Sequence, residues 1–490
     1  MSLCSSPADV AAPANVPVRF ESFQESSSES LPEVFRDSLG SLLRRTHAVA
    51  SSSDGAMGNL EEEVGRAGRE LQRQVLEMAC QFKADHCAPN CPRCGAPLSR
   101  VSVGHERTIQ TRFGAVRIVR SYGYCRRCAQ WFFPADFELG LTGEGESSPS
   151  VQEAASLAVS KMPPADAVAV LARLAGLEVS RATVDREARR QGKRAEELRD
   201  DMDAKALDTR GRWDVTQEVR KEWGEQRFSL VIQIDAWNIR ERDGWGRTQE
   251  LTAQGEAPGR WHWVYGATVF RLEDRAQTQS KRPVILSRGY VMTRLGTDAL
   301  ANQLFAEAVR HGLLIAENVL VIADGGVWIW KIADERFPWA KKRLDFFHAS
   351  EHLWEVAREL HGAGTTEAKA WVEPLLHQLR HGEEERVLQT LDDLKKTVAR
   401  KHRELVSREA AYFESHRKHL DYSAGAAAGE PIGSGAMEST CRQYQCRFKR
   451  PGQFWSKDGD EALLALETFW RNGRWHLLFP HAGRVDPARN

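Results

Sequence analysis

Two aspartates at the ends of apolar runs are the residues best suited to chemistry. Asp235 closes the run in FSLVIQIDAWNI (228–239), and Asp324 closes the run in NVLVIADGG (318–326). A short run rich in Val and Ile reads as a buried central strand. A carboxylate delivered at its mouth is costly unless it is paired or binds a metal. A third acid, Glu438, opens ESTCRQYQCRFKR, a helical stretch. Three carboxylates can hold two divalent ions roughly 4 Å apart, one activating water or a 3′-hydroxyl and the other stabilising the leaving oxygen of an in-line phosphoryl transfer. Oxygen ligands and a phosphate substrate favour Mg²⁺, with Mn²⁺ as a substitute. Taken singly, Asp235 also reads as a strand-end cap, and Asp324 with its two glycines as a turn residue. Both together, followed by a GSG-x-x-Glu helix, favour the metal site. Glu430 lies near the same return but precedes a proline in a loop, so Glu438 is the preferred third acid.

A second constellation is CPRC at Cys91 and Cys94 with CRRC at Cys125 and Cys128. Two CxxC knuckles can place four thiolates tetrahedrally around one structural Zn²⁺. Between them, residues 107–122 alternate like a hairpin turned at Phe113-Gly114, which makes a zinc ribbon. Cys87 and His86 are nearby alternatives as ligands. The chain has nine cysteines, most of them in this region, which in a cytosolic protein suggests metal rather than disulfides. The hairpin region carries Arg100, Arg107, Arg112, Arg117, Arg120, Arg126 and Arg127 against Glu106 alone. That is a basic face suited to phosphates, with Arg112, Arg117 and Arg120 as its DNA-binding candidates.

The elements that position these groups occupy most of the 490 residues. Residues 1–57 are rich in Ser, Ala and Pro and read as a disordered tail. Residues 58–86 form an amphipathic helix on whose apolar side Cys80 falls, and 87–140 form the ribbon. In 150–205, Gly176 ends one helix and Ser180 caps a basic one that begins at Arg181. This resembles a helix-turn-helix, and a structural helical linker would look the same. From 225 to 348 the order is strand, strand, strand, helix, strand, helix, strand, helix, with RPVILSRGYVMTR as the third strand. That order matches the first part of a ribonuclease-H-like α/β core, a mixed sheet with helices on both faces. In such a core, acids on the first and fourth strands are neighbours. Residues 349–430 read as an all-helical insertion, and 431–480 as the last part of the core. Lysines plus arginines equal aspartates plus glutamates, 68 to 68; this argues against a wholly basic nucleic-acid binder but leaves local patches. No apolar run reaches the length of a membrane span, and no basic-then-apolar leader opens the sequence. A cytoplasmic location is expected.

On IDAWN around Asp235, IADGGVWIW after Asp324, LDFFHASEHL, IGSGAMESTCR with Glu438, RPGQFWS and NGRW, the chain resembles DDE transposases of bacterial insertion sequences, most closely the ISKra group. The resemblance runs from the ribbon to the end. It implies catalytic Asp235, Asp324 and Glu438, and DNA strand cleavage and transfer at terminal inverted repeats. It also implies double-stranded DNA as partner, both element ends and target, a homodimer or higher synaptic complex, and a place at the bacterial nucleoid. Asp345-Phe-Phe-His348 looks like the Asp/Cys-x-x-His motif of many such enzymes. His348 would then orient the scissile phosphate, or else be a satisfied core histidine. Arg442, Arg447, Lys449 and Arg450 form a basic stripe beside the third acid, suited to DNA backbone. Trp237, Trp328, Trp330 and Trp455 are core residues, or one of them stacks on a flipped base. Two other classes fit parts of the pattern: a ribonuclease-H-like nuclease without strand transfer, and a catalytically silent, transposase-derived DNA-binding regulator.

Overall fold

The computed structural model describes residues 33–53, 55–141, 145–224, 226–242, 247–255, 259–279, 283–456 and 459–482. These group into two compact units, Met1–Val151 with Leu174–Glu178, and Gln152–Arg173 with Val179–Asn490.

In the first unit, α1 (Glu33–Ala50) falls inside the stretch expected to be a structureless tail; residues 1–32 of that stretch lie outside the described residues. The Ser-rich composition conceals Leu39, Leu42, Thr46 and Val49, which recur at helical spacing and are half-buried. Helix α2 (Met57–Asp85) accompanies α1, with Ser38 Oγ donating to Gln74 Oε1 at 2.5 Å. Strands β1 (Ser99–Thr111), β2 (Gly114–Cys125) and β3 (Gln130–Phe132) form an antiparallel sheet, followed by α3 (Pro134–Glu138). The hairpin turns at Arg112-Phe113, one residue earlier than expected, and Gly114 takes a φ of +121°. The open edge of β2 is closed by side chains of α2. Glu77 accepts from the Arg117 N–H at 3.1 Å, and the Gln81 amide bonds both backbone groups of Val119 at 2.8 and 2.9 Å. An edge satisfied in this way cannot recruit a foreign strand.

In the second unit, most of α4 (Pro149–Lys161) and α5 (Pro164–Ala175), with α6 (Arg181–Leu207) and α7 (Thr209–Trp223), precede a mixed α/β core. Ser180 caps α6 by accepting from the Thr183 N–H at 3.1 Å. The rest of α6 is not a free recognition helix. Glu187, Ala188, Gln191, Gly192 and Ala195 are buried, and a Cβ on Gly192 would strike the Ala462 carbonyl at 2.6 Å. Strands β4 (Ser229–Glu241) and β5 (Arg260–Arg271) flank the short α8 (Thr248–Ala253). The stretch read as one third strand is two. β7 (Pro283–Ile285) pairs with β6 (Arg275–Gln277) as a separate hairpin, and β8 (Gly289–Thr293) joins the main sheet. β8 opens at Gly289, where a Cβ would meet His311 at 2.5 Å and Glu307 at 2.8 Å. Helix α9 (Thr297–Arg310), β9 (Asn318–Ala323), α10 (Val327–Arg336) and β10 (Lys341–Leu344) complete the core, whose strand order is β10-β9-β4-β5-β8. β4 runs parallel to β9 and antiparallel to β5.

Alternation sorts the sheet residues by face. Leu230, Ile232 and Ile234 of β4, with Val319, Val321 and Ala323 of β9, enter one core shared with α9 and α10. Val231, Leu320 and Ile322 enter a second core with Phe270 on the opposite face. Five helices follow: α11 (Phe346–His361), α12 (Thr366–Arg380), α13 (Glu384–Thr397), α14 (Arg403–Ser415) and α15 (Tyr422–Ala427). They build a cluster of their own around Leu353, Val372, Leu391 and Phe413. Helices α16 (Gly435–Phe448), α17 (Gly459–Arg471) and α18 (Trp475–Leu478) return to the sheet region. Among the described residues no helix is long and apolar enough to cross a membrane.

Candidate metal centres and their surroundings

Asp235 follows Val231 and Gln233 on the second face of β4, and Asp324 follows Leu320 and Ile322 on the same face of β9. The parallel register ends at Ile234 opposite Ala323, so the two aspartates are the next residues of neighbouring strands. Such strands lie about 4.8 Å apart. Each carboxylate is fixed locally: Asp235 accepts from the Ala236 N–H at 2.6 Å, and Asp324 from the Gly326 N–H at 2.9 Å. Neither aspartate is in an ion pair among the described residues. Burial, and then the charge of Asp324, raise the pKa of Asp235, while the Ala236 N–H and His348 oppose the rise.

Helix α16 is pinned over this face by Gln233. Its amide donates to the Gly433 carbonyl at 3.2 Å and accepts from the Met437 N–H at 2.9 Å. Gly266, opposite Asp235 on β5, leaves room for Met437, which a Cβ would meet at 2.7 Å. Glu438 therefore sits in the first turn of α16, half-buried, and Cys441 one turn later reaches Asp235 Oδ2 at 3.5 Å. Burial and the neighbouring Asp235 push the Cys441 thiol well up, so it stays protonated. The three carboxylates do not converge as a ligand set for one ion. Among the described residues, only the four cysteines and a His352, Glu355, Glu409 group bring their ligand atoms within 4.8 Å of one another. Two ions about 4 Å apart need ligands spread over a wider span than one ion does.

Glu430 is committed elsewhere. It accepts from the fully buried Arg343 at 2.6 Å and from Lys341 at 3.0 Å, beside Asp421. Asp345 is also engaged. It is buried, caps α11 by accepting from the Phe347 and His348 N–H groups at 2.6 and 3.1 Å, and accepts from the Ser434 N–H in the return to α16. It ties α11 to the segment that delivers Glu438. His348 is half-buried, 3.5 Å from Glu351 and within electrostatic reach of Asp235.

Two contacts with the Asp324 loop come from the helical insertion, and neither was legible in the sequence. Tyr412 Oη donates to the Asp324 carbonyl at 2.7 Å, and His416 Nε2 lies 3.2 Å from the Gly325 carbonyl. Trp330 Nε1 donates to His416 at 3.0 Å, which leaves this nitrogen as an acceptor. Gly325 holds a φ of +96°, and a Cβ there would strike Tyr412 Oη at 2.7 Å. Tyr412 has no local motif to reveal it. Gln233 did leave a signal, as a polar residue inside an apolar run.

The basic stripe divides. Arg442 is 80% exposed and lies 3.5 Å from Glu438. Lys449 donates to Asn238 at 3.0 Å, and Arg450 lies 3.3 Å from Asp166. Arg447 turns inward instead: it is buried and donates to the Val159 carbonyl at 2.9 Å. The four tryptophans are packed: Trp237 is buried near Phe448, Trp328 meets Tyr265, Trp330 meets His419, and Trp455 stacks on Phe448.

In the first unit the four cysteines form a group that could hold a zinc ion. Cys91 and Cys128 sulfurs lie 3.8 Å apart, and Cys94 and Cys125 3.6 Å apart. A tetrahedron with Zn–S near 2.3 Å has S···S edges of about 3.8 Å. Cys87 and His86 lie outside the group. Arg112 and Arg117 are exposed, with Arg117 paired to Glu106. Arg120 departs from the expected phosphate-binding face. Its side chain is 9% exposed, paired with Asp136 at 2.7 Å beside Arg107, and stacked on Phe133. Arg181, at the start of α6, is exposed. No protein-family model matches the chain and no curated protein matches it.

Proposed function

We propose that the chain is a DDE-type DNA transposase that cleaves and joins strands at the terminal inverted repeats of an insertion sequence. The observation that carries this reading is the pair Asp235 and Asp324, side by side at the ends of parallel strands, with Glu438 brought over the same face by α16. The sheet order supports it. Counted from β4, the strands lie third-second-first-fourth-fifth with the second antiparallel, the arrangement of a ribonuclease-H-like core. The donor set also fits a hard divalent cation. A partly buried carboxylate pair without a cationic partner is what such an ion neutralises. Asp235, Asp324 and Glu438 would hold Mg²⁺ or Mn²⁺, which when bound supplies activation of the attacking oxygen and stabilisation of the leaving one.

The chain's own residues prepare that site. Gln233 fixes the height of α16 above β4. Asp345 fixes the return loop against α11, and His348 on the same helix, within electrostatic reach of Asp235, would orient a scissile phosphate. Arg442 offers a solvent-facing guanidinium one turn beyond Glu438. The partners in this reading are double-stranded element ends and target DNA, held by two or more protomers at the bacterial nucleoid.

The test is a supercoiled plasmid carrying the inverted repeats that flank the gene, incubated with protein and Mg²⁺. Joined products support a transposase, nicks alone a nuclease, and a mobility shift without cleavage a regulator. Asp235→Asn, Asp324→Asn and Glu438→Gln should each bind the ends yet cut at least about a thousandfold more slowly. Glu430→Gln should cut normally. A dead Glu430 variant beside an active Glu438 variant would reassign the third acid.

A further inference from the structure

Away from the acidic site, the second unit contains an open cleft of about 700 Å³. Its walls are the start of α6, the Pro163-Pro164 turn and the loop 450–456 that follows α16. Arg181, Arg189, Arg447 and Arg450 line it; Arg189 pairs with Asp185 at 3.1 Å and Arg450 with Asp166 at 3.3 Å, both at exposed side chains. Arg447 is unusual among them. It lies over the Trp455 ring at 5.0 Å, and no carboxylate pairs with it among the described residues. Burial, and then the charge of Arg450, pull its pKa down to about 10. Guanidiniums that repel one another beside an open space are relieved by an anion placed between them.

The size of the space limits the occupant. It falls in the range of roughly 300–1,000 Å³ that encloses small ligands. A duplex, whose major groove alone is about 12 Å wide, does not enter it. Helix α16 joins the cleft to the acidic site. Glu438, Arg442, Gln445 and Lys449 recur at helical spacing along one face, and Arg447 at the far end enters the cleft wall. Nine residues of helix span about 14 Å, close to the rise of four stacked nucleotides at about 3.4 Å each.

We infer that this cleft holds an unpaired nucleotide of the strand that runs along α16 to the acidic site, with its phosphate between Arg181 and Arg450 and its base against Phe454 and Trp455. Stacking on aromatic rings tolerates any base, and a strand end is the cheapest place to unpair one. The path to the acidic site rests on the proposed phosphoryl transfer. Occupancy of the cleft rests on its charge, size and rings.

Fluorescence anisotropy of the full chain with a short labelled oligo(dT) tests it. Arg181→Glu with Arg450→Glu should weaken binding about tenfold or more and lower the salt slope by about 0.7, for the one single-strand phosphate they share. Phe454→Ala should weaken binding with little change in slope. Lys369→Glu with Arg386→Glu, at side chains 64% and 72% exposed, makes the same charge change elsewhere and should leave affinity as in wild type. If reversal impairs folding, Arg181→Ala with Arg450→Ala should weaken binding in the same direction. Cleft variants that bind like wild type, or a control pair that weakens binding equally, would overturn the inference. Unchanged oligo(dT) binding in the cleft variants beside intact plasmid cleavage sinks the cleft alone. Cleft-dependent binding by a wild-type chain that never cuts sinks the transposase reading and leaves the cleft standing.

Discussion

At Asp235 the fold keeps a carboxylate where its charge is unfavourable. Its raised pKa means that the folded chain holds the proton more tightly than the unfolded one. Stability therefore falls as pH rises from the ordinary carboxylate value through the raised folded value, and stays lower above it. Asp235→Asn removes that cost, so in EDTA at neutral pH the variant should melt above wild type. Mg²⁺ should reverse the order, because ions at about a hundredfold over their dissociation constant stabilise by ~2.7 kcal/mol. The Mg²⁺ shift should shrink in acid, where Asp235 is protonated. Equal melting temperatures with and without Mg²⁺ at neutral pH would count against an ion at this site. Arg343 is the opposite case, a fully buried cation satisfied by Asp421, Glu430 and the Pro431 carbonyl. Arg343→Met should cost about 2 kcal/mol in chemical denaturation, since it leaves Asp421 and Glu430 with Lys341 as their shared cation. A loss below about 1 kcal/mol would show that solvent already satisfies them.

Among the elements, the insertion acts as a brace as well as a spacer. Tyr412 of α14 holds the Asp324 carbonyl, and His416 just beyond it packs against Gly325 while accepting from Trp330. Tyr412→Phe keeps the ring and removes the donor, so the fold should stand with a loss of about 1 kcal/mol. Plasmid cleavage should nevertheless fall about tenfold at saturating DNA, with DNA affinity unchanged. A fall in affinity with undiminished cleavage would place Tyr412 in DNA binding instead. The ribbon makes a separate claim. Purified protein should carry about one zinc per chain, and Cys94→Ser should lose it and loosen residues 87–135 to proteolysis. Zinc-free wild type with a protected ribbon would refute it.

The same elements show what the sequence could convey. Strand mouths at Asp235 and Asp324 were legible because an apolar run and its terminal acid are local signals. The Cys4 group was legible because knuckle spacing is local too. The fate of Arg120 was not, because it depends on Asp136 across the ribbon. The need for glycine at the start of β8 was not legible either, because His311 and Glu307 reach Gly289 from another element. Arg447 was misread although helix geometry separates it from its neighbours. Five residues of helix turn it about 140° from Arg442, away from the face it was grouped with.

At the scale of the whole molecule, the core of the second unit is closed by its last helices. Helix α17 lies against α6, where Arg199 Nη1 meets Glu461 at 2.6 Å and Gly192 admits the Ala462 carbonyl. Lys161 of α4 pairs with Glu467 at 2.5 Å, and Arg474 pairs with Glu307 of α9 at 2.8 Å. These contacts join residues hundreds of positions apart, and contacts of that separation form late in folding. A chain emerging from the ribosome thus carries β4, β9 and their acids for many seconds before α17 arrives to cover α6. During that interval the face of α6 that carries Glu187, Ala188, Gln191 and Gly192 stands uncovered, so nascent chains cut short before α17 should be degraded faster by added protease than the full chain.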